Sequence, residues 1–246
     1  MLKKKTLILL SALLCLLLVC TACRGVLTAS QVGDLAYDVS SLGNHILYVK
    51  ENGTYVPFLV MTNDFGGNTL LLREEIMAQL RPYNDGYAAY EDSDLDRWLN
   101  TDYLAALDDP NLTVITTRIE VTDPNSLGRS GRDTGFIDRD VFILSHHELA
   151  LSGPINSADE GLPLKYFKNS ASRIAYLNGE AVEWWLRTPD TFYETSVYTV
   201  STNATVGIKE DTDESGVRPA FCIPSDTPVE KRSDIIDGKT VYVLAS

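Results

Sequence analysis

Glu183-Trp184-Trp185-Leu186-Arg187-Thr188-Pro189, together with Gly216-Val217-Arg218-Pro219-Ala220-Phe221-Cys222-Ile223, decides the fold. Each run sets one arginine inside dense apolar surroundings. Two adjacent tryptophans carry a large apolar area and two indole N–H groups that want partners once buried. A guanidinium has five donors in a rigid fork and keeps its charge. Both runs are therefore expected as neighbouring strands of one body, with Arg187 and Arg218 meeting carboxylates or backbone carbonyls at the edge of a core. The same residues also suit a groove. Trp185, Arg187, Tyr198 and Arg218 are the candidate ligand-binding side chains, offering aromatic walls and a few polar anchors to an anionic or sugar ligand.

Upstream, His45–Lys50 and Thr54–Met61 are rich in β-formers and flank Asn52-Gly53, a strong hairpin signal. Pro57 cannot donate to a ladder and is expected at an edge or bulge. Thr69–Arg73 is a further strand. Ser93, with Asp96 three residues on, opens a helix with Leu95, Trp98, Leu99 and Tyr103 on one face and a stop before Pro110. Leu112–Val121 alternates as a strand. Asp123–Arg139, full of Gly, Ser, Asp and Asn, is expected as a long irregular loop. Asp140–Leu144 is a short buried strand. Ser145 and Glu148 frame a capping box, which predicts a second helix ending at Gly153-Pro154. A third short helix is expected from Asn169 or Ser170 to about Asn178-Gly179. Ser196–Val200 and Ala204–Ile208 suit a hairpin, Asp226–Lys239 a polar excursion and Thr240–Leu244 a closing strand.

The N-terminus has a different character. Lys3, Lys4 and Lys5 precede an apolar Leu7–Val19 run, too short for a comfortable membrane span, and small residues follow. That layout predicts an export signal. Cys20-Thr21-Ala22-Cys23 resembles the lipobox of bacterial lipoproteins, which implies cleavage before Cys23 and a diacylglycerol thioether on it. Residues 1–22 are assigned as a lipoprotein signal peptide, 23–43 as a tether and 44–246 as one domain. The expected location is the cell membrane, lipid-anchored and facing outside the cytoplasm. Losing the three lysines takes the formal charge from −13 to −16. Such a chain lacks the basic stripe a nucleic-acid binder needs. Cys15 and Cys20 leave with the signal and Cys23 is lipidated, so Cys222 stands alone and no intrachain disulfide forms.

His146 and His147 are adjacent rather than four apart, so their side chains diverge on a helix. They predict a solvated helix start, not a metal site. Glu210–Glu214 is either a charged solvated turn or a set of hard oxygens for calcium. No Gly-x-Ser-x-Gly elbow or nucleophile–base–acid trio is found. No cofactor, metal or catalytic residue is expected.

Arg97-Trp98-Leu99-Asn100, Val141-Phe142-Ile143-Leu144-Ser145, Trp184–Pro189 and Gly216–Ala220 together resemble DUF6273, a family of uncharacterised bacterial extracellular domains. The resemblance spans residues 45–245. That family is similar to the C-type-lectin-like fold, also used by the formylglycine-generating enzymes. It implies an α+β domain with small, irregular antiparallel sheets, two or three short helices, and chain ends paired as strands near Val49 and Val241–Leu244. It brings no assigned activity. Formylglycine-generating chemistry needs a copper-binding cysteine pair, which Cys222 alone cannot supply. The expected function is a membrane-anchored ligand- or protein-binding module whose partner is a glycan or an envelope protein. The alternative is an enzyme acting on cell-wall or glycan material on the same scaffold.

Overall fold

Asn52 and Gly53 both take left-handed backbone, with φ of 51° and 74°. They close the type I′ turn that matches the twist of two antiparallel strands. In this computed structural model, which describes residues 28–151 and 156–246, the turn joins β1 (Ile46–Glu51) to β2 (Thr54–Phe65). Next come β3 (Asn68–Arg73), β4 (Thr117–Thr122), β5 (Thr134–Arg139), β6 (Val141–Phe142), β7 (Tyr176–Leu177) and β8 (Glu180–Ala181). The chain continues through β9 (Trp184–Pro189), β10 (Ser196–Val200) and β11 (Val206–Glu210). It closes with β12 (Ala220–Ile223), β13 (Val229–Ile236) and β14 (Lys239–Leu244). The export signal, Cys23 and the Gly153-Pro154 stop lie outside the described residues.

One seven-stranded sheet, ordered β13-β14-β1-β2-β3-β12-β6, is the frame. Phe58–Met61, Leu70–Leu72 and Ala220–Ile223 are buried without alternation, so the middle of the sheet is covered on both faces. Its β1–β14 pair is parallel, with Leu47 opposite Tyr242 and Tyr48 opposite Val243. The two ends of the domain therefore meet. Pro57 lies just past the β2–β3 register, which starts at Phe58 opposite Arg73, and its carbonyl accepts from Glu74 N–H at 3.0 Å. Smaller sheets, β11-β10-β9, β4-β5 and β7-β8, complete a β-rich α+β architecture.

Among the described residues the α-helical turns form a single stretch, Asp94–Trp98, continued through a widened turn at Leu99–Tyr103 into Leu104–Ala106. Ser93 Oγ accepts from Asp96 N–H at 3.1 Å, the expected cap. Leu95, Leu99 and Tyr103 are buried, and the Arg81 guanidinium covers Trp98 at 3.8 Å. Among the described residues no helix is long and apolar enough to cross a membrane.

The two further helices do not form. The Ser145–Glu148 box makes its bonds, Glu148 N–H to Ser145 Oγ at 3.0 Å and Ser145 N–H to Glu148 Oε2 at 2.9 Å. The chain nonetheless passes through a turn, with Ala150 left-handed at φ 49°. Lys165–Lys168 and Ser170–Arg173 are single 3-10 turns. Asn178-Gly179 then closes the β7–β8 hairpin rather than ending a helix.

Four other expectations change. Part of the expected Asp123–Arg139 loop is strand β5, which pairs with β4, and the polar Asp226–Lys239 excursion holds the edge strand β13. The assigned tether is folded from Ala29 onward: Val32, Leu35 and Ala36 are fully buried, and Gly33 N–H donates to Ser225 O at 2.9 Å. The two arginine runs sit in different sheets. They touch just before β12, where Trp185 N–H donates to Gly216 O and Gly216 N–H to Glu183 O, both at 2.9 Å. Trp185 and Val217 share one core.

The four segments that carry the family resemblance interlock along Val141–Leu144. Asn100 Nδ2 donates to Val141 O at 2.9 Å, and its Oδ1 accepts from Asp140 and Val141 N–H. Ala220 pairs with Phe142. Arg187 donates from its backbone to Leu144 O and from Nη1 to Ile143 O, both at 3.0 Å.

Candidate functional site

Alternation along β4 buries Ile119 and turns Arg118 and Glu120 outward. In the β4–β5 ladder Phe136 stands opposite Glu120 and Asp138 opposite Arg118. The Arg118 guanidinium leans diagonally over the Phe136 ring, 4.7 Å from its centroid. This hairpin forms one wall of a groove of about 480 Å³. Phe65 and Gly66 at the β2–β3 turn form another, and Gly161–Lys165 the third, with Asp38 and Thr62 alongside. Phe136 is 56% exposed and Leu162 79%, in a protein whose other apolar side chains are mostly buried. An apolar cleft of this size with a few polar groups has the form of a small-ligand site.

Most of the groove's carboxylates are held by the protein. Glu120 accepts from Thr134 Oγ1 at 2.5 Å and from Gly161 N–H at 3.0 Å. Asp38 Oδ2 accepts from Thr62 Oγ1 at 2.6 Å, and Asp38 Oδ1 is buried without a partner. Lys165 Nζ donates to the Asp38 carbonyl at 3.1 Å.

Under the floor lies a dry charge cluster. Arg187 meets Glu148 with two bonds of 2.8 Å, Nη1 to Oε2 and Nη2 to Oε1, and its Nε donates to Glu120 O at 2.9 Å. Glu160 sits 3.6 Å from Nε and accepts from Thr122 N–H, Thr122 Oγ1 and Thr188 Oγ1. Neither Arg187, Glu148 nor Glu160 is exposed. Burial raises the Glu160 carboxyl above its ordinary value, against the pull of Arg187. Gly161 rests on this cluster. Its φ is 74°, and a Cβ there would lie 2.6 Å from Glu148 Oε1.

The four ligand candidates lie elsewhere, and none lines the groove. Trp185 is fully buried, its indole N–H on Arg81 O at 2.8 Å and its ring edge-on to Tyr83. Arg187 is consumed by the cluster beneath. Tyr198 donates to Asp190 Oδ2 at 2.7 Å beside the His146 ring, and burial raises its phenol. Arg218 donates to Arg73 O at 3.1 Å and Glu74 O at 3.0 Å and covers Trp184 at 4.8 Å. Burial pulls its pKa down to about 10. Dense apolar packing is what closes the expected aromatic groove. The arginine partners split: a carboxylate for Arg187, carbonyls and an indole face for Arg218.

His146 is also buried rather than solvated, and His147 Nδ1 lies 2.9 Å from Gly161 O. Among the described residues no group of three or more His, Cys, Asp or Glu is placed to hold a metal. In the acidic turn, Asp211 points inward, with its Oδ2 buried and without a partner. The groove residues Phe136 and Leu162 escape a sequence reading because each follows a glycine in a stretch expected as loop. Alternation across Arg118-Ile119-Glu120 was the available signal.

No curated protein and no solved structure matches the chain. The model of the family described as Domain of unknown function (DUF6273) matches residues 66–225, a span that takes in all four interlocking segments and both the groove's hairpin and its floor, so the chain belongs to the DUF6273 family.

Proposed function

We propose that this chain is an exported lipoprotein, anchored through Cys23 and facing outside the cytoplasm, whose domain binds a ligand in the Phe136–Leu162 groove. The Lys3–Lys5 and Leu7–Val19 pattern and the Cys20–Cys23 lipobox support export and anchoring. A C-type-lectin-like scaffold is supported by the parallel meeting of the two chain ends at β1 and β14 and by the small sheets beside them. The observation that carries the binding role is the exposure of Phe136 and Leu162 across one concavity over a buried, ion-paired floor. Solvent-facing aromatic area in a preformed cleft is what ligand burial uses. In this reading the module binds and does not catalyse.

Two measurements test it. Labelling cells with a palmitate analogue should mark the parent protein and not Cys23→Ala; equal labelling would remove the anchor. A thermal-shift screen of glycans and short peptides should yield ligands that stabilise the parent and a remote Ile208→Ala control but not Phe136→Ala. Ligands that stabilise all three equally would place binding elsewhere.

A further inference from the structure

Arg118 and Lys165 line the same groove, and neither is paired with a carboxylate among the described residues. Acids outnumber bases 34 to 21 in this chain, yet none of the groove's own acids forms an ion pair with either cation. Asp138 stands across the ladder from Arg118, yet the guanidinium stacks on Phe136 instead. The groove's acids do not fill the role either. Glu120 and Glu148 have both oxygens occupied, and Asp38 is held by Thr62. Asp64 alone sits exposed at the rim.

Resting on the groove reading above, we infer that the groove takes an amphiphilic carboxylate, a compact apolar group on Phe136 and Leu162 with its anion between Arg118 and Lys165. A guanidinium already stacked on an aromatic ring is held in orientation, so less freedom is lost when its fork closes on a carboxylate. The apolar walls raise the strength of that contact by excluding water. The same chemistry occurs at a peptide C-terminus with an apolar last residue and in a short fatty acid.

Calorimetry on the chain from Arg24 onward tests this with N-acetylphenylalanine, octanoate and the uncharged N-acetylphenylalaninamide. At least one of the two acids should bind, at least about tenfold more tightly than the amide, the loss expected for one charge-assisted contact. Tighter N-acetylphenylalanine assigns the site to peptide ends, and tighter octanoate to acyl chains. Arg118→Gln should weaken the acid about tenfold and leave the amide unchanged. Both cations are exposed, so an unchanged melting temperature verifies that the variant is folded. Equal binding of acid and amide overturns the anion assignment and leaves the groove standing. Acid binding that survives Phe136→Ala removes the groove itself. Absence of binding by both acids at about 10 mM overturns the inference, since even weak small-ligand sites show at that level.

Discussion

Arg187 and Glu148 face each other through two parallel N–H···O bonds of 2.8 Å, with no exposure of either side chain. The pair joins β9 to the turn after β6 across 39 residues of chain, and Glu160 and Ile143 O complete the arginine's shell.

Removing one partner of such a pair strands the other's charge in a dry interior. Arg187→Met should destabilise the fold by about 3–5 kcal/mol. For a domain of this size that is a fall in melting temperature on the order of 10 °C. Arg187→Lys should also lower it, because a point charge cannot reproduce the fork. A melting temperature for Arg187→Met within about 2 °C of the parent would mean that the cluster contributes nothing net.

His146 should make the fold acid-sensitive. Burial, with a contribution from His147, lowers its pKa from 6.5 to about 4, while Asp159 pulls the other way. Its Nδ1 is buried without a partner, and its ring lies beside Tyr198. The folded imidazole is neutral where the unfolded one takes a proton. Its stabilising contribution is thus present above pH 6.5 and is lost as pH falls toward about 4. His146→Phe should flatten the melting-temperature decline between those values; an unchanged slope would assign the acid sensitivity to other groups.

Gly161 couples the groove's wall to its floor. Gly161→Ala forces a left-handed backbone on a side chain, costing about 1–2 kcal/mol, and drives its methyl into Glu148. The total loss should exceed that backbone share. In a Glu148→Ala background the steric part disappears, so a double-mutant cycle should return a clear coupling between the two positions. Additive losses would show that the contact is relieved by a small shift.

Cys222 should be inert while the protein is folded. It is a free, fully buried thiol whose pKa burial pushes up to about 12. Only a thiolate reacts quickly. Mass spectrometry of the chain from Arg24 after iodoacetamide should find it unmodified in buffer and fully modified in denaturant. Rapid modification in buffer would mean that β12 opens locally.

Local chemistry made some elements legible. Asn52-Gly53 needed left-handed backbone and closed a hairpin, Ser93 capped its helix, and Trp184–Pro189 was a buried strand. Long-range contacts decided the rest. The Ser145–Glu148 bonds are the same in a turn as in a helix; the distant Arg187 holds Glu148 and the chain leaves the helical path. Asn178-Gly179 suits either a helix end or a hairpin, and only the pairing of Tyr176 with Ala181 chooses. Phe136 became a wall because β5 found β4, a partnership that its polar neighbours do not advertise. The ion-paired arginine was foreseen, but not that it would underlie the groove instead of facing into it.

Packing is already in place near the start of the described residues. Ala29 N–H already donates to Tyr242 Oη at 3.1 Å, and Val32 N–H donates to Thr227 O at 2.9 Å. Six peptide units separate that point from Cys23, a reach of about 20 Å at full stretch. An acyl group on Cys23 would moor the body close to the bilayer, with the β13–β14 margin on the lipid side. If the proposed anchor forms, whatever the protein meets would have to come down to the membrane surface, because so short a leash would leave the domain little freedom to search outward.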